Sequence, residues 1–82
     1  MKLSFTKTIQ GREIEFVRLM YPLRYNLFFR NMNANPIKAL VKKDSNGAWD
    51  FDEPGELPAW VIELSLPIQE AIDENEANAV AE

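Results

Sequence analysis

The spacing of apolar residues changes once along this chain, at residues 52–55 (DEPG), and that change limits the fold more than any other feature. Before it, apolar and polar residues alternate, as in LSFTKTIQ and LRYNLFFR, with the two-residue period of half-buried β-strands. After it, apolar residues recur every three or four positions, as on one face of a helix: Leu57, Val61, Leu64, Ile68 and Ile72. The sequence therefore predicts strands followed by a helix, an α+β fold.

Turn motifs divide the first part of the chain into strands. Gln10-Gly11 and Asn46-Gly47 supply residues that tolerate the left-handed backbone of hairpin turns. Tyr21-Pro22 interrupts the alternation, and NMNANP, residues 31–36, has the composition of a loop. We predict an antiparallel meander of four to five strands.

The predicted helix contains a proline, Pro67, within its apolar stripe. Proline removes one backbone hydrogen bond and clashes with the preceding turn, at a cost of about 3 kcal/mol in a regular helix. Because the stripe keeps its phase across Pro67, we predict one C-terminal helix, bent at Pro67 and packed on one face of the sheet. We expect residues 1–74 to form a single domain and residues 75–82 to be a frayed or disordered tail.

Residues under the helix should form the core, and we expect seven large side chains to be buried in one cluster: Phe16, Leu27, Phe29, Trp49, Trp60, Leu64 and Ile68. The two tryptophans flank the turn before the helix. We interpret them as an anchor between the last hairpin and the helix, with a pair that stacks on a ligand as the alternative.

Composition narrows the classes of function. The 82 residues include no cysteine and no histidine, so thiolate chemistry and the usual general base near neutral pH are both missing. The three glycines form no phosphate-binding loop. We therefore predict a protein that is not an enzyme and has no cofactor or metal. MKLSFTKTIQ lacks the apolar stretch of a signal peptide, and no run of about 20 apolar residues occurs, which favours a cytoplasmic protein without a membrane partner.

Charge is divided unequally along the chain. All nine lysines and arginines precede Asp44, whereas eleven of the thirteen acidic residues lie from Asp44 onwards. Such asymmetry is typical of proteins with a charged partner, although an acidic helix face also keeps a small protein soluble. We predict that helix acids turn toward arginines at the rim of the sheet, which would place Glu63, Glu70 and Asp73 near Arg12 and Arg18.

The sheet face away from the helix is the most informative surface. In a meander, acidic residues of the second strand lie beside arginines of the third, and lysines of the fourth beside aspartates of the fifth. The first interpretation is a set of cross-strand charge pairs, each contributing roughly 0.2–1 kcal/mol. The second is a basic surface for single-stranded nucleic acid, with Phe28 as a stacking platform. Its cations are Arg24, Arg30, Lys38 and Lys42.

A third interpretation concerns the apolar residues of this face, Val17, Phe28 and Leu40. A contiguous apolar cluster surrounded by charges is typical of a protein interface. We therefore predict a small non-catalytic domain that contacts another protein, which includes a second copy of itself as a homodimer. Nucleic-acid binding by the basic strands is the alternative.

The end of the chain carries one resemblance. DSNGAW followed by LPAWVIELSLPIQEAI resembles the ending of some small, uncharacterised bacterial proteins. The resemblance covers about the last 40 residues and rests on a Gly-x-Trp turn and a Leu-Pro-x-Trp helix start. It implies a bacterial origin and a meander followed by a helix, and it implies no activity.

Overall fold

The computed structural model describes residues 2–30 and 37–78 of the chain. The described strands are β1 (Ser4–Ile9), β2 (Arg12–Leu19), β3 (Arg24–Phe29), β4 (Ile37–Lys43) and β5 (Trp49–Phe51). A 3₁₀ turn at Pro54–Glu56 leads into helices α1 (Ala59–Ile62) and α2 (Ser65–Ala77). The predicted loop at 31–36 lies outside the described residues.

The five described strands form one antiparallel sheet in the order β1-β2-β3-β4-β5, and the helices cover one of its faces. This confirms the predicted α+β meander. Among the described residues, no helix is both long enough and apolar enough to cross a bilayer.

Two glycines take the left-handed backbone that their turns require. Gln10 and Gly11 both have positive φ, 52° and 78°, as in the two-residue hairpin turn that the sequence predicts. In the β4–β5 turn only Gly47 has a positive φ, 82°. There the Asp44 carboxylate accepts hydrogen bonds from the backbone N–H groups of Asn46 and Ala48, at 2.8 and 3.0 Å. A side chain thus stabilises a turn for which the sequence predicted two left-handed residues.

The predicted bend of the helical segment lies one turn before Pro67. Proline has no N–H to donate to the carbonyl of Glu63, four residues earlier, and its ring crowds that carbonyl. Helix α1 therefore ends at Ile62, and α2 begins at Ser65. Because Glu63 keeps a helical backbone, φ −63° and ψ −19°, the apolar stripe continues across the break.

The core lies between the sheet and this stripe. Six of the seven side chains predicted for it are buried, and the seventh, Trp60, packs against the core while partly exposed. The other buried apolar residues are Ile9, Ile14, Tyr25, Ala39, Val41, Phe51, Val61, Ala71 and Ile72.

Helix α2 continues beyond the predicted domain boundary at residue 74. It ends at Ala77, and Asn75 within it is buried, with 8% of its surface exposed. The first residues of the predicted tail therefore belong to the fold, because they are held by contacts with the sheet. The rest of that tail, residues 79–82, lies outside the described residues.

Candidate protein interface

The open face, defined as the sheet face opposite the helices, presents its side chains in rows set by the strand register. One row is Thr6, Glu15, Phe28 and Lys38, and the next is Ser4, Val17, Asn26 and Leu40. A third row is Leu19, Arg24, Lys42 and Asp50. Because side chains alternate along each strand, the sequence predicts that the charged members of these rows lie on this face. The strand register then sets which of them are neighbours.

The three candidate interface residues come together at the centre of the open face. Val17 and Leu40 lie directly opposite Asn26, one on each side, and Phe28 is two residues along β3 from Asn26. Diagonal neighbours of this kind are about 7–8 Å apart, within reach of an aromatic side chain. All three are half-buried and lie outside the core cluster. They form an apolar patch, hereafter the apolar centre.

Two of the four candidate basic residues form ion pairs with acids of neighbouring strands. Arg30 Nε lies 3.1 Å from Glu13 Oε1, and Lys42 Nζ lies 3.3 Å from Asp52 Oδ1. The predicted charge pairing between β2 and β3, and between β4 and the end of β5, is confirmed at these two places. Exposed pairs of this kind contribute roughly 0–1 kcal/mol.

The other two basic residues have different surroundings. Arg24 donates from Nη1 to the carbonyl oxygens of Met20 and Pro22, at 3.4 and 2.7 Å, and so closes the β2–β3 turn. Lys38 Nζ lies 6.0 Å from the centroid of the Phe28 ring. Three of the four candidate cations are therefore engaged within the chain, which leaves Lys38 as the member with only an aromatic contact among the described residues.

Glu15 and Lys38 flank Phe28 in one row, on β2 and β4. Within residues 2–30 and 37–78, neither has an ion-pair partner. Lys38 also lines a cleft of about 340 Å³ where β5 ends, together with the acids Asp52, Glu53 and Glu56. No group of three or more acidic side chains in the described part of the chain is placed to hold a metal ion.

A polar network that sequence reasoning missed joins the end of α2 to the sheet. The Glu76 carboxylate accepts hydrogen bonds from Arg18 Nε at 2.7 Å, from Arg18 Nη2 at 3.1 Å and from the Tyr25 hydroxyl. Asn75 donates from Nδ2 to the Tyr25 hydroxyl and to the Lys2 carbonyl oxygen, and its Oδ1 accepts from the Lys2 N–H. Because these partners are 50 or more residues apart, no local pattern indicates the network.

Ionisation in this network follows from its contacts. The hydrogen bond with Arg18 lowers the pKa of Glu76, and the same bond raises the pKa of Arg18. Burial raises the pKa of Tyr25 to about 12, with the hydrogen bond to Glu76 as the next cause. The group therefore consists of an ionised carboxylate, a guanidinium and a neutral phenol near neutral pH.

Different acids from those predicted contact the sheet. Glu63, Glu70 and Asp73 are exposed and form no ion pair with the described residues. Arg18 instead pairs with Glu76, and Lys7 Nζ lies 3.6 Å from Glu74 Oε2. Arg12 stacks over the Trp60 ring at 3.9 Å. The prediction for the three acids is wrong because they lie on the outer side of the helices.

The two tryptophans contact different aromatic rings. Trp49 meets Tyr25 edge to face at 5.3 Å between centroids, and Trp60 meets Phe29 in the same way at 5.8 Å. Trp49 is fully buried. Trp49 thus anchors the last hairpin to β3, and Trp60 anchors α1 to β3, which supports core anchors over a pair that stacks on a ligand.

Comparison of the chain with models of protein families returns no match, and searches of curated proteins and of solved structures also return none. The resemblance to small bacterial proteins therefore stays a prediction.

Proposed function

We propose that this protein is a small, non-catalytic interaction domain that binds another protein through its open face. One observation carries the proposal: the apolar centre of Val17, Phe28 and Leu40 lies in the middle of a face that no described helix covers. Interfaces typically have an apolar core and a polar rim, with a few well-packed anchors that dominate the affinity. Phe28 is the aromatic anchor in this proposal.

Charge distribution supports a protein partner over a nucleic acid. A basic surface gains affinity when its cations replace the counterions of phosphates. On the open face Arg30 and Lys42 are paired with acids, and Arg24 is bound to turn carbonyls. Phe28 is the one aromatic residue among the described residues of this face, so a row of stacked bases would have a single platform.

The proposal is tested by photo-crosslinking at Phe28. Phe28 is replaced by benzoylphenylalanine, cells that express the chain are irradiated, and adducts are identified by mass spectrometry. The matched control carries the same amino acid at Leu66, which is also apolar but lies on α2 with 62% of its surface exposed. We expect a discrete polypeptide adduct at position 28 and none of that mass at position 66.

Three outcomes would count against this function. Equal labelling at both positions, or no adduct at position 28, contradicts a specific protein interface on the open face. An adduct that nuclease removes supports the nucleic-acid alternative.

The cytoplasmic location predicted from the sequence also stays a prediction, and fluorescence microscopy of a tagged chain tests it.

A further inference from the structure

We infer that the partner of the open face is a second copy of this chain, related to the first by a two-fold axis parallel to β3; this inference rests on the protein-binding role proposed above. Its starting point is the row that contains Glu15, Phe28 and Lys38. The acid and the base lie on opposite sides of Phe28, two strands apart, and neither is paired within the described residues.

A two-fold rotation about an axis parallel to β3 and between two facing sheets exchanges the two sides of β3. It leaves position along the strands unchanged. In such a pair, β3 lies over β3 of the second copy, and β2 lies over its β4. Each row then meets itself in reverse order, so Glu15 faces Lys38 of the second copy and Phe28 faces Phe28.

The neighbouring row is complementary under the same rotation. Val17 lies on one side of Asn26 and Leu40 on the other. The rotation places Val17 over Leu40 of the second copy and brings the two Asn26 amides together, where they can exchange hydrogen bonds. The operation thus pairs apolar with apolar residues and acid with base in two successive rows.

The other face-to-face arrangement lacks this match. A two-fold axis between the sheets but perpendicular to the strands places β2 over β2 and β4 over β4. When this axis crosses the row of Phe28, so that Phe28 again faces Phe28, Glu15 faces Glu15 of the second copy and Lys38 faces Lys38. Like charges in direct opposition are unfavourable, and the charge pattern therefore selects the axis parallel to the strands.

The crossing angle of the two sheets and the approach of two arginines to their own copies both affect this arrangement. Facing sheets cross at about 30°, which shifts residues one strand from the axis by roughly 2–3 Å, and Glu and Lys side chains are long enough to span that shift. The axis also brings Arg24 and Arg30 near their own copies. Arg30 is neutralised by Glu13, and Arg24 is turned to the carbonyls of the β2–β3 turn, so their repulsion is reduced.

The test is a charge exchange between two variants. Glu15→Lys puts two lysines in opposition across the interface, twice in each dimer, and Lys38→Glu does the same with two glutamates. We expect each variant alone to dimerise about tenfold more weakly than wild type, a change that corresponds to about 1.4 kcal/mol. An equimolar mixture should regain wild-type affinity as a heterodimer with one copy of each variant, measured by sedimentation and native mass spectrometry.

Glu63→Lys is the control, because it makes the same charge change on an exposed helix residue away from the open face. It should leave the dimer as tight as wild type. Thermal unfolding of each variant confirms that it is folded. Recovery of affinity in the mixture cannot come from misfolded chains.

The remaining outcomes separate this inference from the proposed function. A wild-type chain that is monomeric at high concentration overturns the inference, while the crosslink at position 28 still tests for a different protein partner. If Phe28→Glu dissociates the dimer but the mixture of Glu15→Lys and Lys38→Glu does not restore it, the axis is overturned. The open face then remains the interface. A dimer that is indifferent to Phe28→Glu overturns the inference and points to an edge strand such as β1, while the crosslink at position 28 still tests the open face for another protein partner.

Discussion

Glu76 links the end of α2 to two strands, through the Arg18 guanidinium and the Tyr25 hydroxyl. The pKa of Glu76 is lowered in the fold. Its contribution to stability is therefore present at pH values above the ordinary glutamate pKa, and it is lost as the pH falls through the lowered pKa of the folded protein. Replacing Glu76 by Gln should lower the free energy of unfolding by about 1–3 kcal/mol at pH 7. Urea unfolding should show this difference shrinking as the pH falls below the ordinary glutamate pKa of 4.5.

Tyr25→Phe is the matched control at this scale. It removes the hydroxyl and keeps the ring and the pair between Arg18 and Glu76. The variant should therefore keep the acid-dependent loss of stability that Glu76→Gln abolishes. A difference between wild type and Glu76→Gln that stays constant from neutral to strongly acidic pH would contradict an ionised carboxylate in this network.

At the scale of elements, the stripe of α1 and α2 attaches the helical segment to the sheet. Leu64 lies at the bend between the two helices, with 2% of its surface exposed. Leu64→Ala should lower the free energy of unfolding by about 2–5 kcal/mol, because it removes buried methyl groups and leaves a cavity. Leu66→Ala, at a position 62% exposed, should change it by less than about 0.5 kcal/mol. Similar values for the two variants in denaturant unfolding would show that the helices do not pack as described.

At the scale of the whole molecule, the basic sheet and the acidic helices attract each other through few contacts. Glu63, Glu70 and Asp73 are exposed and unpaired among the described residues. Changing all three to their amides should therefore alter the free energy of unfolding by less than about 0.5 kcal/mol at low salt. If the triple variant instead loses more stability than Glu76→Gln in urea unfolding, long-range attraction between helix and sheet outweighs the local network.

The sequence by itself determined the faces of the strands, the Gln10-Gly11 turn and the apolar stripe of the helical segment. Each of these depends on interactions between residues close in the chain, because side-chain direction alternates with every residue of a strand and repeats about every 3.6 residues of a helix. For the same reason the apolar centre of Val17, Phe28 and Leu40 could be assigned to one face before any coordinates.

Only the tertiary structure decided which charges meet. Glu76 pairs with Arg18, 58 residues away, because α2 extends past residue 74 and ends over β2 and β3. The acids predicted to fill that role lie on the outer side of the helices. Strand register likewise decided that Glu15 and Lys38 flank Phe28 without a partner of their own among the described residues. Contacts between distant segments depend on how strands and helices dock, and the periodic spacing of apolar residues in the sequence does not determine that docking.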